Sequence, residues 1–374
     1  MTIKRNILLN PGPVTTTDTV KQALVVADIC HREVEFTDLM QGVRMDLLKV
    51  VNADPEQYTS ILFAASGTGA VEACLSSVLA SEKKVLIINN GPYGQRMLDI
   101  ARRYHIPSLE YQVDYDQPIA ITEIELLLIQ NNNIGAVAMV HHETSSGILS
   151  SLRPIGELCH KYGCEFIVDA MSSFAGVDID VEREHIDYII SSANKCLQGM
   201  PGLAFVIAKK SALMQSKGRA RSFYFDLHQQ FYALETQREM PFTPPVQIIY
   251  ALRQALNEFL AETLSGRIER YQRNYELLIK GFAKLGFTCL TPEDRASHLL
   301  AIIRFPGDQS YNFDEFHDYL FAAGFTIYPK KLSIPNTFRV ACLGAIEPQD
   351  ILRFFQSVAT YMLKKTTQEL ISHV

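Results

Sequence analysis

The chain has 374 residues, 47% hydrophobic and 20% charged, enough to bury a sizeable core over two domains or one domain with an appendage. Its net charge is −6 at pH 7 and no basic block stands out, which argues against a general nucleic-acid binder. No apolar run approaches the ~20 residues of a membrane helix, and the first eleven residues hold too few apolar side chains after their charges for a secretory leader. A cytoplasmic enzyme is the expectation.

Taken in chain order, short apolar strands alternate with helix-length amphipathic segments through the first two-thirds. Strands are expected at 59–64, 84–89, 136–141, 165–169, 188–191 and 203–208, and helices at 69–80, 94–104, 121–130 and 153–162. Mostly continuous apolar strands between helices predict an α/β fold with a mostly parallel sheet covered on both faces. Ligands of such sheets collect beyond the carboxyl ends of the strands. Around Glu239-Met240-Pro241-Phe242-Thr243-Pro244-Pro245 the pattern breaks. A long helical run over 246–285 follows, then short strands at 299–304, 326–328 and 338–342 with helices at 314–323 and 348–364. The expected division is a large domain over 13–250 and a smaller α+β domain over 251–374. Residues 1–12 are expected to cross to the active site or the small domain.

The seven cysteines (Cys30, Cys74, Cys159, Cys164, Cys196, Cys289 and Cys342) are scattered and include no C-x-x-C pair, which suits reduced thiols. His141-His142-Glu143 is the densest group of metal-ligand types. Adjacent histidines diverge on a helix or a strand, so no metal site is expected.

Three segments carry candidate chemistry. Ser66-Gly67-Thr68-Gly69 follows a strand and opens a helix, where backbone N–H groups and the helix dipole suit a phosphate, or simply make a tight turn. A dinucleotide site, as in a nicotinamide dehydrogenase, fits worse. Glu72 replaces the third glycine, and the next strand ends in Asn89-Asn90 rather than an acid. Asp169 ends an apolar strand, where a carboxylate is costly without a cationic partner: a pyridinium nitrogen, an arginine or a helix N-terminus. Lys195 sits among small residues in Ser191-Ser192-Ala193-Asn194-Lys195-Cys196, where desolvation or a neighbouring cation would keep its amine partly neutral. Phosphate holder, ring-nitrogen partner and amine together describe a pyridoxal phosphate site.

On these segments, and on Leu9-Asn10-Pro11-Gly12-Pro13, Asn90-Gly91-Pro92-Tyr93-Gly94, His142-Glu143-Thr144-Ser145-Ser146-Gly147, Asp169-Ala170-Met171-Ser172-Ser173 and Phe338-Arg339, the sequence resembles the fold-type I, class V aminotransferases. The likeness is greatest to members that take an aminophosphonate donor and pyruvate as the 2-oxo acid acceptor; relatives of the alanine–glyoxylate or serine type share the cofactor residues. The resemblance implies pyridoxal 5'-phosphate, with Lys195 as its covalent carrier and Asp169 holding the pyridinium proton. It also implies Ser66, Gly67 and Thr68 on the phosphate, helped by Asn194, Tyr93 and Met171 against the ring, and Thr144 near the ring hydroxyl. Thr243 would reach a neighbouring subunit's phosphate, which implies a homodimer with shared sites. Arg339 would hold the phosphonate or carboxylate. Lys330 and Lys331 read as solvated charges. Two departures stand out. Relatives that use glyoxylate commonly carry histidine where this chain has Asn194, and residues 28–36 differ from the phosphonate enzymes, which bears on the donor.

Overall fold

The structure, a computed structural model, describes residues 5–114, 117–307, 311–329 and 334–372; Lys330 and Lys331 lie outside these. The chain opens with β1 (Ile7–Leu9), a short helix α1 (Asp18–Gln22) and α2 (Val34–Lys49). Strand and helix then alternate through β2 (Tyr58–Phe63), α3 (Gly67–Val78), β3 (Lys84–Asn89), α4 (Pro92–Arg103), β4 (Ser108–Gln112), α5 (Ile121–Gln130) and β5 (Ile134–Val140). Two-residue strands β6 (His142–Glu143) and β7 (Ile148–Leu149) precede α6 (Arg153–Tyr162), β8 (Glu165–Asp169), β9 (Tyr188–Ser192) and β10 (Ala204–Lys209). Helices α7 (Lys210–Gln215), α8 (Leu227–Tyr232), α9 (Val246–Glu262) and α10 (Leu264–Lys284) lead to β11 (Thr288–Cys289) and β12 (Leu300–Arg304). The chain closes with α11 (Phe313–Ala322), β13 (Phe325–Ile327), β14 (Thr337–Ala341) and α12 (Pro348–Ser372).

The seven-stranded central sheet has the order β2-β10-β9-β8-β5-β3-β4. Only β10 runs against its neighbours, pairing antiparallel with both β2 and β9. Strand β2 therefore points the same way as β9, and the carboxyl ends of β2, β3, β5, β8 and β9 all open at one edge. The inner strands are continuous apolar runs buried on both faces, such as Val85, Leu86, Ile87 and Ile88. Edge strand β4 differs: Ser-Leu-Glu-Tyr-Gln alternates exposed and half-buried, with no apolar run to announce it in the sequence.

A second hydrophobic core gathers Phe282, Phe287, Phe305, Phe316, Phe338 and Phe354 from α10, α11, α12 and the antiparallel sheet β11-β12-β14. Ile7 and Leu9 belong to it, because β1 pairs parallel with β13. The N-terminal segment thus starts in this second core and then runs to the edge of the large sheet.

The helical run expected over 246–285 is divided into two helices. Thr263 takes φ 68°, a conformation that interrupts a right-handed helix, and its side chain accepts from Gly266 N–H to start α10. The break lets α10 turn back on the loop after β9. Arg267, 1% exposed, donates from Nη1 to the Cys196 carbonyl at 2.7 Å and from Nε to Glu262 at 2.8 Å. Gln198 donates to the Tyr271 hydroxyl at 2.8 Å. The backbone just past Lys195 is therefore clamped from a different element.

Replacing Arg267 by Met should lower the unfolding free energy in urea by about 1–3 kcal/mol, since it leaves the buried Cys196 carbonyl only the 3.4 Å bond from the Tyr271 hydroxyl and leaves Glu262 paired with Arg270 alone. Replacing Arg153, whose pair with Glu157 is exposed on one helix, by Met should cost under about 0.5 kcal/mol.

Candidate active site

At the carboxyl edge of the sheet lies a cavity of about 290 Å³ lined by residues from five different loops. Ser66, Gly67 and Thr68 form one wall at the start of α3. Ser66 makes no side-chain capping bond and the first turn holds no acid, so the orphan N–H groups and positive end of the helix face the cavity uncompensated. Gly67 packs closely on Met171: a Cβ there would fall 2.3 Å from Met171 Sδ, so the methionine side chain would have to move.

Two opposite charges project into this cavity without touching. Asp169 ends β8, is 6% exposed, and accepts the Met171 N–H at 2.9 Å. Burial pushes its carboxyl up to about 6, against the Met171 N–H and the charges of Lys195 and Arg96. Lys195, three residues beyond β9, donates from Nζ to the Pro11 carbonyl at 2.6 Å. Burial lowers its amine to about 8; Cys196 and Asp169 oppose the shift, and Arg339 and Arg96 add to it. Gly12 is as tightly placed as Gly67: at φ 134°, a Cβ on it would meet Lys195 Nζ at 2.5 Å.

Tyr93, Met171 and Asn194 complete the walls expected from the sequence. Thr144 is fully buried but outside the cavity lining; its carbonyl accepts from Arg339 Nη1 at 3.3 Å. Arg339, 7% exposed in β14, lies with its guanidinium 4.4 Å from the centroid of the Tyr328 ring. Thr243 is exposed and takes no part in lining the cavity of its own chain.

Two titratable lining residues were not among the expected site residues. His142 is 2% exposed, and neither ring nitrogen reaches a partner within hydrogen-bond geometry. Burial holds it near 4, with the Ser172 backbone opposing and the Lys195 charge adding to the shift, so it is a neutral imidazole at pH 7. Its signal was alternation: β5 ends at Val140, and two residues on lies the same face. His141 points away and bonds Ser173 Oγ at 2.9 Å. Arg96 lies three residues after Tyr93 on α4, the spacing that puts two side chains on one helical face. A wider, open cleft of about 430 Å³ lies at the opposite edge, by Glu165 at the start of β8 and Asp187 just before β9, with Lys209 also in its lining.

The arrangement can seat an anion at the start of α3, a protonated ring nitrogen at Asp169 and a carbonyl carbon at Lys195. The comparisons with known proteins agree with that chemistry. The profile of the family described as Aminotransferase class-V matches residues 18–324. The chain is 38% identical over 361 residues to the 2-aminoethylphosphonate–pyruvate transaminases of Bacillus cereus (strain ATCC 10987 / NRS 248) and Bacillus anthracis, covering 96% of this chain and 98% of each relative. Among solved structures, alanine–glyoxylate aminotransferase from Nostoc sp. superposes with a TM-score of 0.89 at 23% identity, over 97% of this chain and 96% of that one. Pyridoxamine–pyruvate aminotransferase from Mesorhizobium loti gives 0.86 at 22% identity, over 97% and 93%. At these identities the two structures bear on the fold.

The charge at Asp169 has a stability consequence. Its folded pKa is raised, so ionisation costs stability; the cost is absent below about pH 4, grows through about 6 and is complete above that. Asp169→Asn should therefore stabilise the ligand-free protein at pH 7.5 by roughly 1–3 kcal/mol and leave it unchanged at pH 4, measured by thermal unfolding at both pH values.

Proposed function

The chain belongs to the class V aminotransferase family, and on that footing we propose that it moves the amino group of 2-aminoethylphosphonate to pyruvate, giving phosphonoacetaldehyde and L-alanine, with pyridoxal 5'-phosphate as cofactor. The observation that carries this reading is the pair of buried, opposite and mutually unbonded charges, Asp169 and Lys195, across one cavity.

The donor set fits such a cofactor. The uncapped start of α3 suits its phosphate. His142, which lines the cavity, is a buried imidazole whose ring nitrogens lack partners, a cost of about 1–3 kcal/mol that a polar ligand there relieves. When bound, the cofactor supplies an electron sink for the bonds at the amine-bearing carbon.

The chain's own residues do the rest. Asp169 holds a proton on the ring nitrogen, a role its desolvated carboxylate favours because a cation is the partner it lacks. Lys195, with an amine already lowered to about 8, takes the proton from the amine-bearing carbon of the donor once released from covalent duty. Arg339 offers a fork of donors to the donor's phosphonate and then to the acceptor's carboxylate, so one site serves both half-reactions. The near-full-length identity to the Bacillus transaminases supports the phosphonate donor over other amines. Thr243, exposed and outside its own cavity, suits the reading that it serves the cofactor phosphate of a second copy in a homodimer.

The test is a half-reaction without acceptor. Adding 2-aminoethylphosphonate to the cofactor-loaded protein should bleach its yellow absorbance within one turnover, and pyruvate should restore it. No change with the phosphonate, but rapid bleaching with serine, alanine or phosphoserine, would contradict the donor. Arg339→Lys should raise KM for both substrates by roughly 10–100-fold while the absorbance of the resting protein stays unchanged.

A further inference from the structure

Arg96 has surroundings unusual for an arginine. Its Nη1 donates to Thr68 Oγ1 at 3.1 Å, and its guanidinium lies 4.9 Å from the centroid of the Tyr93 ring. No carboxylate lies within ion-pairing distance of it among the described residues. Beside a cavity, an arginine partnered by a hydroxyl and a ring rather than by an acid leaves its positive charge uncompensated.

The bond to Thr68 has a directional consequence. A hydroxyl that accepts from a guanidinium keeps its own proton for a second partner, and the cation polarises it into a stronger donor. That donor stands at the start of α3, beside Ser66 and Gly67, where the helix already favours an anion. The contact with Tyr93 braces the ring that forms the adjoining wall. One side chain thus touches both the anion end and the flat wall of the cavity.

We infer that Arg96 is the positioning residue for the phosphate end of the cofactor: it orients and polarises Thr68, and its charge gives the site its preference for a dianionic ligand over the same ring without phosphate. The inference rests on the cofactor reading above and adds to it a residue and a selectivity. The charge also reaches across the cavity, where it lowers both the Asp169 carboxyl and the Lys195 amine. Because Arg96 is exposed, solvent screens it, and an effect on the order of tenfold in affinity is expected rather than several hundredfold.

The experiment titrates the full-length, cofactor-stripped protein with pyridoxal 5'-phosphate and, separately, with pyridoxal, which lacks the phosphate. In Arg96→Gln, affinity for pyridoxal 5'-phosphate should fall roughly tenfold and that for pyridoxal by less than about twofold. Arg96→Lys should keep most of the preference, since it keeps the charge. In a Thr68→Val background, Arg96→Gln should cost less than it does alone, because the two residues act through one contact. Melting temperatures of the stripped variants report that the fold is intact. Equal loss for both ligands would overturn the inference, because the damage would then lie at the Tyr93 wall. Unchanged binding of the phosphorylated ligand would overturn it as well. Failure of the unmutated protein to bind either compound would overturn the cofactor reading itself, an outcome visible before any variant is made.

Discussion

Everything in the site depends on keeping two desolvated charges of opposite sign apart. Left to themselves, Asp169 and Lys195 would gain by pairing in the low-dielectric interior. Each is instead tied to the backbone, Asp169 to the Met171 N–H and Lys195 to the Pro11 carbonyl. These bonds compensate the charges only in part, which is why the carboxyl is pushed up and the amine pushed down. A site held in that state is poised for a ligand that brings a cation to one side and a carbonyl to the other. It is also less stable than a relaxed pocket, a common cost of function.

The scaffold that enforces this separation comes from distant parts of the chain. Asp169 is fixed by its strand, buried between β5 and β9. Lys195 is held by its neighbours. Arg267 on α10 clamps the Cys196 carbonyl, and the Pro11 carbonyl arrives on a segment whose first residues pair with β13 in the second core. Gly12, at φ 134°, lets that segment approach the amine where a Cβ would meet the Lys195 side chain. Both hydrophobic cores therefore bear on one nitrogen atom.

Much of this was legible in the sequence, for a physical reason. A parallel sheet buried on both faces writes its strands as apolar runs, and the residues at their carboxyl ends are where chemistry collects. Asp169 stands out because a charge at the end of such a run is expensive, and Lys195 because small residues surround its amine. The edge strand β4 was silent because its side chains alternate between solvent and a shallow contact. The break at Thr263 was hidden inside a stretch whose composition is helical on both sides. Arg96 and His142 were missed because their meaning lies in what they lack. Nothing along the chain shows that an arginine has no acid nearby or that an imidazole has no partner. Arg339 was expected from the family resemblance, yet its ring contact with Tyr328 came only with the fold.

The most direct test of the account is chemical trapping of the amine. The cofactor-loaded protein would be reduced with borohydride, digested and mapped by mass spectrometry. The account predicts a phosphopyridoxyl adduct on the peptide containing Lys195, in about one copy per chain, and its loss when Asn194-Lys195 is altered only at the lysine. A stable adduct on another lysine, or none on a protein that still catalyses transamination, would contradict it.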